Sequence, residues 1–184
     1  MKKIPTVFQR DPENRAHVLP EVNPGCEWVL AGEGVATIKY DGTCTMFDGE
    51  RWWARREVKP GNTPPPEWQE VDADEVTGKR VGWEPIEQSS YAKVFTTVDK
   101  PVDAAPGETF ELVGPKVNGN PHGFPDHRLV RHGADVATDL PGDYDGLRSW
   151  LAAVVDGSTE GIVWHHPDGR RAKLKVRDFP VTDA

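Results

Sequence analysis

Val35-Ala36-Thr37-Ile38-Lys39-Tyr40-Asp41-Gly42-Thr43 runs from an apolar, β-prone stretch into a glycine turn, with one lysine at the junction. Alternate residues of a strand share a face, so Val35, Thr37 and Lys39 project to one side and Ala36, Ile38 and Tyr40 to the other. One side can pack while the other presents an amine. A lysine at a strand end has the placement of a nucleophile, and Gly42 would supply a backbone conformation closed to bulkier residues.

Outward from this stretch, 18 Gly and 17 Pro punctuate short β-prone segments. The pattern predicts strands at 34–40, 43–47, 51–58, 109–113, 128–131, 161–165 and 171–176. Hairpins are expected through Asp48-Gly49-Glu50 and Pro167-Asp168-Gly169. One helix is predicted from Leu147, Trp150, Leu151, Val154 and Val155 at helical spacing, with Gly157 as its stop. A second, weaker helix is expected over 87–94, an exposed loop over 60–66, and loop or short helix over 67–75. The fold class is α+β, dominated by strands.

At 184 residues the chain fits a single domain spanning 1–184. Hydrophobic content of 36%, with seven Trp, six Phe and three Tyr, argues against disorder. No apolar run reaches membrane-spanning length, and Met1-Lys2-Lys3-Ile4-Pro5 lacks the apolar core of a signal peptide. The expectation is a soluble, cytoplasmic monomer with no membrane partner. Cys26 and Cys44 form no CxxC pair, so they read as reduced thiols with neither a disulfide framework nor a thiolate zinc site. His122, His127, His132, His165 and His166 show no helical ligand spacing and read as surface or loop residues.

A formal charge of −8 gives no general attraction to polynucleotides, yet cations concentrate locally. Arg170, Arg171, Lys173, Lys175 and Arg177 form one cluster, and Arg51, Arg55, Arg56 and Lys59 another. The acidic remainder predicts a transient, salt-sensitive hold on any polynucleotide.

Strand parity tests which polar groups can converge. In 109–113, Glu111 points away from Phe110 and Leu112, a lone carboxylate on an apolar strand. Parity sets Glu160 beside Ile162, a carboxylate next to a branched aliphatic, which suits a metal-bound phosphate near a nucleobase. Lys173 and Lys175 project together, as an anion site needs. Each feature alone also fits an ordinary strand edge; their order along the chain joins them.

The series Lys39-Tyr40-Asp41-Gly42, Phe110-Glu111-Leu112-Val113-Gly114, Glu160-Gly161-Ile162-Val163 and Lys173-Leu174-Lys175 resembles motifs I, III, IV and V of the covalent nucleotidyltransferases. That superfamily comprises the ATP-dependent DNA and RNA ligases and the mRNA capping enzymes. Trp53-Ala54-Arg55-Arg56-Glu57-Val58-Lys59 is similar to the arginine-bearing segment that follows motif I in RNA ligases, and Gly114-Pro115-Lys116-Val117-Asn118-Gly119-Asn120-Pro121 also has an RNA-ligase look. Cys44 stands where DNA ligases and capping enzymes usually carry arginine, and the chain ends soon after Lys175. The resemblance therefore implies a minimal RNA ligase: a strand-rich nucleotidyltransferase domain, ATP-grasp-like, with antiparallel sheets, a few flanking helices and no C-terminal OB domain.

It further implies that Lys39 attacks ATP and carries AMP, that AMP passes to a 5′-phosphate RNA end, and that a 3′-hydroxyl seals the strand. Glu111 would contact ribose or metal, Glu160 would hold Mg2+ (or Mn2+), and Lys173 with Lys175 would grip the α-phosphate. Arg55, ahead of Arg56, is the expected phosphate or RNA contact, and Ile162 is expected against the adenine, opposite a ring from Phe124, Tyr144 or Trp150, the last fitting the helical core stripe better. Thr37 and Ile38, which precede the nucleophile, are candidates to line the base, Ile38 through its backbone. A lysine near its ordinary pKa, about 10.4, is mostly protonated, and neighbouring cations favour loss of that proton. The implied partners are ATP, RNA ends and an RNA-binding or repair protein. Transfer to another acceptor, use of GTP, or a non-catalytic nucleotide- or RNA-binding module are the alternatives.

Overall fold

A computed structural model describes residues 3–154 and 159–180. In chain order the elements are β1 (Phe8–Arg10), β2 (Val18–Val22), α1 (Glu27–Leu30), β3 (Val35–Lys39), β4 (Thr43–Phe47), β5 (Trp52–Val58), β6 (Gln69–Ala73), β7 (Arg80–Pro85), α2 (Ala92–Phe95), β8 (Glu108–Val113), β9 (Arg128–Arg131), α3 (Tyr144–Ala153), β10 (Gly161–His165) and β11 (Arg171–Lys175). The protein is α+β, strand-rich, with antiparallel sheets and few helices. No helix among the described residues is long and apolar enough to cross a membrane.

The contacts divide the chain into two compact units, one from Ile4–Tyr40 and Gly133–Ala184, the other from Met1–Lys3 and Asp41–His132. In the first, the sheet runs β11-β10-β3, and Thr6 extends its edge by a parallel bridge to Lys173. Ile38, Ile162 and Leu174 stand in one cross-strand row, and Ala36, Trp164 and Ala172 in the next row on that face. Leu147 and Leu151 of α3 cover it together with Phe8, all fully or almost fully buried. Each large side chain buried there contributes about 1.5–3 kcal/mol. The Asp143 carboxylate caps α3 by accepting from the Gly146 N–H at 2.8 Å. Of the expected helical stripe, Val155 and the stop Gly157 lie outside the described residues.

The second unit holds a six-stranded sheet in the order β6-β7-β5-β4-β8-β9. Trp52, Ala54, Leu112 and Leu129 occupy one face, packed by Ile86, Phe95, Val98 and Val117. Parity sends Cys44, Trp53, Arg55 and Glu111 to the other.

All seven expected strands form, with ends shifted by one residue at most, as do both hairpins. The 67–75 segment is neither loop nor helix: it carries β6, an edge strand with a bulge between Glu70 and Asp72. Its acidic residues protect an open edge, which hides the strand pattern. Strands β1, β2 and β7 were not anticipated. Gly82 interrupts the β7 pattern for a packing reason, since a Cβ there would lie 2.2 Å from the Gln69 carbonyl oxygen and 2.5 Å from the Trp68 ring. The helix expected over 87–94 is split into a 3-10 turn at Ile86–Gln88 and α2. Ser89 divides them: its hydroxyl donates to the Ile86 carbonyl at 2.9 Å and accepts from the Tyr91 N–H at 3.2 Å, competing with helical bonding.

Candidate active site

Gly161, the first residue of β10, stands opposite Lys39 on β3 and Lys175 on β11. Lacking a side chain, it lets the β11 backbone at Leu174 and Lys175 come close. It must be glycine, because a Cβ would lie 2.1 Å from the Leu174 carbonyl oxygen. Glu160 closes the group: Oε2 accepts from Lys39 Nζ at 2.5 Å, and Oε1 accepts from Lys175 Nζ. The Lys39 amine also donates to the Tyr40 carbonyl at 3.3 Å. The Glu160 and Lys175 side chains are only 13% and 14% exposed, so the pairing is shielded from solvent.

The backbone holds this geometry in place. Glu160 N–H donates to the Lys39 carbonyl at 2.8 Å, and Val176 N–H to the Glu160 carbonyl at 3.0 Å. The Thr159 hydroxyl accepts from the Gly161 N–H at 3.0 Å. Burial pushes the Glu160 carboxyl upward, but the Lys39 charge and hydrogen bonds from both lysines outweigh it and hold the group below its usual range. Glu160 is therefore ionised at neutral pH.

The next row on this face contains Thr37, Val163 and Lys173. Lys173 is lowered to about 8, first by burial and then by the Lys175 and Lys39 charges. An incoming anion would offset both effects. Thr37 is buried, and its hydroxyl lies 3.2 Å from the Val163 carbonyl and 3.1 Å from His165 Nε2. Arg177 lies at the rim, 3.8 Å from Glu160. His165 was read as a surface residue, whereas the Val35–His165 register puts it on this face.

Two expectations here need correction. Ile162 is wholly buried in the apolar core, on the face away from Lys39, and Val163 stands on the amine face instead. Parity misled because β10 begins at Gly161; Glu160 lies in the preceding bend, outside the strand alternation. Ile38 pairs with Ile162, and its backbone N–H is already engaged by the Asp135 carbonyl at 2.8 Å. Tyr144 also belongs to the core, its ring edge-on to Phe8 and Phe179 and its hydroxyl donating to the Val18 carbonyl, and Trp150 packs against the same core, as its helical spacing suggested.

In the other unit, Glu111 Oε1 accepts from the Gly42 N–H at 3.0 Å, and Oε2 lies 2.9 Å from His132 Nε2. Gly42 is not in the left-handed region, contrary to expectation. Its requirement is close approach, since a Cβ would lie 2.2 Å from the Leu112 carbonyl oxygen. Asn118, within the 114–121 segment, donates to Asp41 Oδ1 at 3.0 Å and to the Gly42 carbonyl at 2.8 Å. The Asp41 N–H donates to His122 Nε2 at 2.6 Å. Arg55 projects from the Glu111 face, and its Nε is buried with no hydrogen-bond partner among the described residues. Arg56 is exposed on the opposite face, 3.8 Å from Glu84. Phe124 lies beside His122 with the Arg128 guanidinium over its ring.

Comparison with known proteins gives a consistent picture. Residues 86–181 match the family profile described as RNA ligase 1. Rat and mouse proteins named RNA ligase 1 (Rattus norvegicus, Mus musculus) are each 32% identical to this chain, over 76% of it and 65% of their own length. A Pongo abelii protein of that name is 44% identical over 36% of this chain and 22% of its own. The matched region thus spans somewhat less than two thirds of the rat and mouse relatives.

Proposed function

The chain belongs to the RNA ligase 1 family, and from that premise we propose that it is an ATP-dependent RNA ligase with a nucleotidyltransferase fold, acting through a lysyl-AMP intermediate. The observation that carries the reading is the convergence of Lys39 and Lys175 on Glu160 across Gly161, with Lys173 one row away. A strand-end amine, two further cations and one ionised carboxylate are the parts needed to attack and hold a phosphate.

Lys39 Nζ loses a proton and forms a bond to the α-phosphorus of ATP, while the bond to pyrophosphate breaks. Lys173 and Lys175 hold the α-phosphate oxygens as charge builds on them. The AMP then passes to an RNA 5′-phosphate, releasing Lys39, and a 3′-hydroxyl displaces AMP to close the phosphodiester. Glu160, an ionised carboxylate at the phosphate position, fits a magnesium ion, which typically takes one or two carboxylates plus substrate phosphates. Bound there, the ion would offset charge on the phosphate oxygens. Glu111, anchored by the Gly42 amide, is assigned by the resemblance to ribose or to a metal. Arg55 is assigned to a phosphate, and its unpaired buried Nε supports that assignment.

The test is incubation with α-labelled ATP and magnesium, followed by denaturing electrophoresis and intact mass, with Lys39→Ala alongside. An acid-labile AMP adduct present in the wild type and absent from the variant is expected. Labelling of Lys39→Ala would overturn the choice of nucleophile. No adduct, on protein shown to carry no prior AMP, would leave a binding module, and capture of GMP instead would redirect the nucleotide specificity.

A further inference from the structure

Cys44 on β4, Glu111 on β8 and His132 just past β9 stand on three neighbouring strands of the six-stranded sheet, and one ligand atom of each lies within 4.8 Å of the other two. We propose that these side chains bind a borderline-soft divalent cation, Zn2+, through Cys44 Sγ, Glu111 Oε2 and His132 Nε2, with a fourth position open to water. This site stands on the geometry of its own unit; it takes the metal alternative for Glu111 and leaves the Lys39–Glu160–Lys175 cluster untouched.

The donor set selects the ion. Thiolate, imidazole and carboxylate together suit zinc, whereas magnesium takes oxygen donors alone. Three protein ligands and one open position form a familiar tetrahedral zinc arrangement. Bonds of about 2.0–2.3 Å bring tetrahedral ligands to roughly 3.5 Å from one another, and side-chain rotation covers the difference from the present spacings.

The atoms behind the ligands are already arranged for this role. His132 Nδ1 lies 2.9 Å from Thr109 Oγ1, so it can donate there and leave Nε2 for the metal. Glu111 Oε1 is fixed by the Gly42 N–H, leaving Oε2 on the side of His132. Such outer contacts orient metal ligands and sharpen their affinity. Oε2 and Nε2 now face each other at 2.9 Å, a position the cation would take, and the Cys44 thiol would release its proton on binding. The bound ion would tie β4, β8 and β9 together.

Cobalt is the probe, because it reports coordination in its absorption. Titrating Co2+ into the full chain should give one equivalent of a tetrahedral complex, with intense visible bands and a near-ultraviolet thiolate-to-cobalt band, both displaced by Zn2+. Cys44→Ser and His132→Asn should each lose the thiolate-containing tetrahedral spectrum, with metal-free melting curves like that of the wild type. Thr109→Val should keep the bands and weaken binding about 10-fold. Glu160→Gln should leave them unchanged, which separates this site from the lysine-carboxylate cluster. The faint spectrum of six-coordinate cobalt without a thiolate band, or a thiolate band surviving in Cys44→Ser and so arising at Cys26, would overturn the proposal.

Discussion

Gly161 illustrates how one missing side chain shapes a site, since it stands between Lys39 and Lys175 in the register and permits the β11 backbone to approach. Gly161→Ala would force its Cβ against the Leu174 carbonyl, a strain of about 1–3 kcal/mol. Lower melting and a disproportionate loss of adenylation are expected, and an unchanged adenylation rate in a folded variant would show that the strand spacing does not matter to the chemistry. Lys173 makes a second prediction. Its folded-state value of about 8 lies below the ordinary lysine value, so folding disfavours its proton. Between about pH 8 and pH 10 the unfolded chain therefore binds more protons at this site than the folded one, and stability contributed here rises with pH. Denaturant titrations at those two pH values should show that rise in the wild type and a smaller one in Lys173→Met; equal slopes would mean that Lys173 titrates normally. That Lys39, Glu160, Lys173 and Lys175 come together was legible from order and spacing. The face of Ile162 was not, because a parity count started one residue outside the strand gives the wrong side.

Legibility at the level of elements followed the strength of the pattern. The β10–β11 and β4–β5 hairpins were readable because apolar alternation meets a clear turn. The β6 edge strand and glycine-interrupted β7 were not, since one carries charge for protection and the other sacrifices a side chain to the Trp68 ring. The Cys44, Glu111 and His132 cluster escaped for a related reason: its members are brought together by sheet order, which local ligand spacing does not encode. Helix α3 offers the test at this scale. Asp143 supplies its N-cap, so Asp143→Ala should cost about 1 kcal/mol in urea denaturation, whereas the conservative Asp143→Asn should retain most of it. No difference between Ala and Asn would mean that the cap contributes nothing beyond the apolar stripe of Leu147 and Leu151.

Across the whole molecule, composition gave strand dominance and a net charge of −8, but not the division into two units, since each assembles its core from residues far apart in sequence. The charge has a functional consequence under the proposed reaction. Exposed charges separated by more than about 10 Å interact little at 0.1 M salt, so attraction to RNA must come from nearby cations such as Lys173, Lys175 and Arg177 rather than from the molecule as a whole. About three neutralised phosphates at roughly 0.7 each predict a slope near −2 for log affinity against log salt. Adenylation uses a small nucleotide beside the shielded Glu160–Lys175 pair, where salt screens less. Raising salt should therefore suppress RNA sealing well before it suppresses capture of AMP, measured on one preparation with labelled ATP and a labelled RNA end. Parallel decline of both steps would place the salt-sensitive contact at the nucleotide itself. An RNA slope steeper than about −5 would require more phosphate contacts than this local set of cations can make.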